Sequence, residues 1–122
     1  MTLSQLRSGV YFILPEGLER AELTNLTESA LTGGVGLIQY REKCKSTRQM
    51  IEEVSALLEL TRAVDVPLIV NDRVDVCLAT EADGVHVGQE DMPVQIARRL
   101  LGPRAIVGGT TPSAQLAQQA ET

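Results

Sequence analysis

The chain has 122 residues, 43% of them hydrophobic, which is the size and composition of one ordinary domain with a real core. Sixteen acids against eleven lysines and arginines leave a net charge of -5, which excludes a protein-wide field that gathers nucleic acid or anionic lipid, so any bound anion has to be held locally. No apolar run approaches the roughly 20 residues that span a bilayer, and the first residues lack a signal peptide's apolar stretch, so a cytoplasmic protein with no membrane or nucleic-acid partner is expected.

Short β-branched apolar runs alternate with stretches of helical period, the pattern of repeated βα units around a parallel sheet. A first strand is expected over 10–14. After Pro15-Glu16-Gly17 comes a helix carrying Leu23, Leu26, Ala30 and Leu31 at helical spacing, ended by Gly33-Gly34. The second strand is expected over 35–40, and Ser46 or Thr47 caps a helix whose apolar face is Met50, Val54, Leu57 and Leu58. The third strand, 67–70, is nearly all apolar, as suits a strand covered on both faces, and a short helix over about 73–80 follows.

Asp83-Gly84 turns into a fourth strand, 85–87. Pro93 stands where a first helical position is expected, with that helix ending near Gly102. The fifth strand is expected over 105–108, and Thr111-Pro112 opens a further helix. No linker or low-complexity segment divides the chain, so residues 1–122 are read as one domain. A doubly wound sheet would announce its phosphate site with a glycine-rich first turn, which Pro15-Glu16-Gly17 is not. The expected fold is therefore α/β, a parallel (βα) TIM-barrel type. With about 250 residues in a complete barrel, five strands amount to roughly its first half.

The chemistry gathers at carboxyl strand ends. In Gln39-Tyr40-Arg41-Glu42-Lys43, residues 39, 41 and 43 alternate, so extended backbone sends all three to one face. Turned into a barrel mouth, Gln39 would bond a neutral heterocycle, while Arg41 and Lys43 would meet phosphate oxygens. Turned to solvent, they are ordinary surface charges. The third strand runs into Asn71-Asp72-Arg73 and the fourth into His86-Val87-Gly88-Gln89-Glu90-Asp91. Magnesium prefers one or two carboxylates, phosphate oxygens and water, a set that Asp72 and Asp91 would supply, whereas singly they read as a helix N-cap and a loop acid. Cys44 and Cys77 lack metal-ligand spacing and are expected as free thiols.

The segments QYREK, VNDRVDVCLATEADGVHVGQEDMP and IVGGTTPS, in this order and spacing, resemble the thiamine phosphate synthase family. The resemblance implies a transferase that joins hydroxymethylpyrimidine diphosphate to thiazole phosphate and needs Mg2+. It implies that Asp72 and Asp91 coordinate the metal, that Lys43 and Asn71 bind the diphosphate, and that Gln39, Arg41 and His86 line the pyrimidine pocket. Arg41, Lys43 and His86 would be catalytic, the two cations by neutralising charge on departing pyrophosphate. For His86, a positioning donor, a core group and a proton-transfer residue all remain open.

Where the family has serine after the glycine pair, this chain has Thr110, whose hydroxyl would serve similarly. The family's later strands, with a further lysine and the thiazole-phosphate loops, have no counterpart. Two alternatives follow: an inactive magnesium-diphosphate-binding module, or a thiazole tautomerase-like protein, against which the Gln-Arg-Lys and paired-aspartate set argues. Open edges on the first and fifth strands imply a homo-oligomer rather than a monomer.

Overall fold

A computed structural model describes residues 9–88 and 92–109. Through them strands and helices alternate as β1 (Tyr11–Ile13), α1 (Arg20–Thr32), β2 (Leu37–Tyr40), α2 (Thr47–Ala63), β3 (Leu68–Asn71), α3 (Val74–Thr80), β4 (Gly84–Val87), α4 (Val94–Leu101) and β5 (Ile106–Gly109). All strands are parallel and lie side by side in chain order. A doubly wound sheet reverses its order and carries helices on both faces. Here the order never reverses and the helices share one face, as in a (βα)8 barrel, so the expected fold type holds. Among the described residues no helix is long and apolar enough to cross a membrane.

Strand alternation sorts the side chains into two layers. Ile38, Tyr40, Leu68, Val70, Val85, Val87 and Val107 face the helices and build the main core with Leu23, Met50, Val54, Leu57, Val74, Cys77 and Ala97. On the opposite face Leu37, Ile69 and Ile106 form a small separate cluster. Toward the β1 edge that face is open, with Tyr11 and Ile13 about half exposed.

Several element ends differ from the expected ones for reasons the local bonding gives. Val35 does not join β2, because its N–H donates to the Ala30 carbonyl in the turn ending α1, where Gly34 takes a φ of 88°. β3 runs on to Asn71 because Asn71 registers with His86 on β4. Pro93 stands just before α4 rather than as its first residue, its ψ of 142° being extended. Asp72 does not cap α3, since the residue preceding that helix is Arg73.

For α2 the cap is Ser46. Its Oγ accepts from Gln49 N at 3.1 Å, and Gln49 Oε1 accepts from Ser46 N at 3.2 Å, a reciprocal capping box. Ser46→Ala is expected to lower unfolding free energy by about 1 kcal/mol, read as a shift in urea midpoint at constant slope.

Candidate functional site

At the carboxyl ends of β2, β3 and β4 lies a cavity of about 310 Å3 lined by Ile13, Gln39, Arg41, Lys43, Asn71, His86 and Gly88. Register explains the convergence. Ile13 pairs with Gln39 and Asn71 with His86, so these side chains rise from one sheet face in adjacent rows. Gln39, Arg41 and Lys43 keep the strand alternation past the end of β2, while Tyr40 and Glu42 between them are buried on the other side. Gly108, beside His86 on β5, leaves room for the imidazole: a Cβ there would come within 3.2 Å of His86 Nδ1.

Five residues expected at the site therefore share one cavity: Gln39, Arg41, Lys43, Asn71 and His86. Asp72 is not among the lining residues but directly follows Asn71 at the rim. Its φ of 76° turns the chain sharply out of the strand, and its N–H donates to the His86 carbonyl at 2.7 Å. Asp91 and Thr110 lie outside the described residues. Among the described residues no group of three metal-ligating side chains gathers. Asp72 brings a carboxylate next to the end of β3, and magnesium takes one or two carboxylates beside phosphate and water.

A larger cavity of about 600 Å3 lies at the opposite end, beside Cys77, Leu78, Asp83 and Leu101. It opens at the amino ends of the strands, the face of such barrels that serves stability. Cys77 is buried and, with burial the main cause and the Asp83 charge adding, its thiol is pushed up to about 12. That makes it an unreactive thiol. Both cysteines are free, as expected, with Cys44 exposed.

Sequence reading missed a polar network directly beneath the cation pair. Glu42 accepts from Gly17 N at 3.0 Å through Oε2 and at 3.3 Å through Oε1. Lys45 Nζ lies 3.5 Å from Glu42 and 2.8 Å from Glu53, and also donates to the Leu18 carbonyl. Tyr40 donates its hydroxyl proton to Glu53 at 2.7 Å. Burial alone would pull the Lys45 ammonium down; the hydrogen bond and charge of Glu53, with Glu42, outweigh it and hold the group above its ordinary value. Burial, then the Glu53 bond and charge, pushes Tyr40 far above the usual phenol value. One signal was available: Glu53 falls on the apolar stripe of α2, between Met50 and Leu57, where an acid demands a partner.

Above this network Arg41 Nε lies 3.6 Å from Glu16 Oε1 with both side chains nearly half exposed, a weak pairing that an incoming anion can displace. Arg73, by contrast, turns away from the cavity, bonding Asp75, Thr47 Oγ1 and Met50 Sδ to tie α3 to the start of α2.

Over 98 residues the chain is 56% identical to a thiamine-phosphate synthase of Chloroflexus aurantiacus, covering 80% of this chain and 45% of that one. It is 47% identical over 114 residues to one of Roseiflexus castenholzii, covering 92% and 50%. Its structure matches a solved thiamine phosphate pyrophosphorylase from Pyrococcus furiosus with a TM-score of 0.72 at 38% identity, covering 92% of this chain and 54% of that one. The chain thus spans about half the length of the curated relatives it matches. With residues 10–122 also matching the family model described as thiamine monophosphate synthase, the chain belongs to that family.

Proposed function

We propose that this chain carries the pyrimidine-diphosphate half of a thiamine-phosphate synthase site and acts as a transferase in thiamine biosynthesis. The observation that carries the reading is the convergence of Gln39, Arg41, Lys43, Asn71 and His86 on one cavity at adjacent strand ends. Arg41 offers a planar fork and Lys43 a point charge to diphosphate oxygens, while Asn71 offers an amide N–H. Gln39, one strand step below the Asn71–His86 pair, and His86 present hydrogen-bonding groups on the same face to a heterocycle. When the pyrimidine C–O bond breaks, negative charge grows on the departing diphosphate, and the two cations that line the cavity would stabilise that charge.

Magnesium is part of the same reading: Asp72, with Asp91, would hold the ion, which would supply Lewis-acid neutralisation of the diphosphate. Thr110 would add a hydroxyl to the phosphate. The substrates are small molecules and the setting cytoplasmic, in keeping with two free thiols. Self-association over the open sheet face, supported by the half-exposed Tyr11 and Ile13, belongs to the proposal as well.

A second reading is a diphosphate-binding module without turnover, since the cations and amides that line the cavity suit a diphosphate by themselves. Calorimetric titration with pyrophosphate, with and without magnesium, beside an assay for thiamine phosphate separates the two. Metal-dependent binding with product formation supports the enzyme, and binding without product supports the module. In either case Arg41→Ala is expected to weaken pyrophosphate binding about tenfold to a hundredfold, the worth of a charged hydrogen bond. An unchanged affinity removes Arg41 from the site.

A further inference from the structure

We infer that Glu42, which faces away from the cavity, is the positioning residue for Arg41 and Lys43. The inference rests on the diphosphate reading above and deepens it. Arg41 and Lys43 are exposed and long, so the fold can preset only where their backbones start and in which direction they leave. Glu42 joins the two, is 5% exposed, and grips the Gly17 amide with both carboxylate oxygens. That grip sets the turn from which Glu16 reaches Arg41, so one carboxylate governs the origin of both cations and the resting partner of one. Gly17 suits the turn because its φ of 79° is the left-handed region.

The grip is itself anchored. Lys45 bridges Glu42 to Glu53 on α2 and to the Leu18 carbonyl, and Tyr40 on β2 closes the network onto Glu53. The segments after β1 and after β2 are thereby locked to each other and to the rigid start of α2. A binding group whose position is fixed before the ligand arrives loses less freedom on binding, which is where this carboxylate contributes to affinity.

Two variants separate reach from charge, both measured by magnesium-pyrophosphate titration well below their unfolding midpoints, with amide hydrogen exchange at Gly17 alongside. Glu42→Asp keeps the charge but withdraws the acceptor by one methylene. It is expected to expose the Gly17 amide and lose about tenfold in affinity. Glu42→Gln keeps the reach, leaves Lys45 paired with Glu53, and is expected to rescue both readings to within about threefold of wild type. A Glu42→Asp chain with an exchanging Gly17 amide and full affinity overturns the inference, as does a Glu42→Gln chain as weak as Glu42→Asp. If the wild-type chain itself binds no pyrophosphate, the diphosphate reading falls and takes this role with it, a failure distinguishable by the wild-type titration alone.

Discussion

Gly84→Ala is expected to damage the fold severely, costing about 3 kcal/mol or more of unfolding free energy. Gly84 opens β4 between β3 and β5, registered with Ile69 on one side and Ile106 on the other. A Cβ built there would stand 2.0 Å from the Ile106 carbonyl oxygen and 2.7 Å from its carbonyl carbon. Those are backbone atoms of a paired strand, so relief requires moving β5 rather than rotating a side chain. Set against a total stability of about 5–15 kcal/mol, the loss is a large share. Urea unfolding is the measurement, and a midpoint within error of wild type contradicts the close approach. Gly108→Ala provides the contrast, because its clash at 3.2 Å is with the His86 ring end and not with backbone. It should leave the midpoint nearly unchanged while displacing His86 in the cavity.

Lys45→Met is expected to cost about 3–5 kcal/mol, the usual penalty for removing one partner of a buried charge group. Lys45 is the cation between Glu42 and Glu53, whose side chains are only 3% and 7% exposed. Without it two carboxylates stay buried close together, with the Gly17 amide and Tyr40 hydroxyl as polar relief among the described residues. Adding Glu53→Gln to Lys45→Met removes one of those charges and is expected to recover a measurable part of the loss. A double variant as unstable as the single one contradicts the electrostatic account. The raised Lys45 value also sets a pH window for the wild type. Its contribution is fully present below the ordinary lysine value of 10.5 and is lost as pH rises through the higher folded value.

Much of the arrangement was legible in the sequence because it follows local rules. Alternation placed Gln39, Arg41 and Lys43 on one face, and β-branched runs separated by helical periods gave parallel strands in chain order. Ser46 or Thr47 announced the start of α2, and Ser46 is the residue that caps it. Strand limits were less legible, since Val35 has apolar strand character but its N–H is taken by the preceding helix end.

What escaped sequence reading depends on residues distant in the chain. Glu42 and Lys45 look like surface charges until the fold brings Gly17 and Glu53 to them, and the place of Glu53 on the apolar stripe of α2 is the local signal of the network. The left-handed turn at Asp72 has no local signature, because its N–H is held by the His86 carbonyl on the next strand.

The convergence of strand ends around one anion is most directly tested by mapping amide chemical-shift changes as pyrophosphate and magnesium are added. The account predicts the largest changes at Gln39, Arg41, Lys43, Asn71, His86 and Gly88, which line the cavity. Changes concentrated instead at the other end, around Cys77, Asp83 and Leu101, would contradict it.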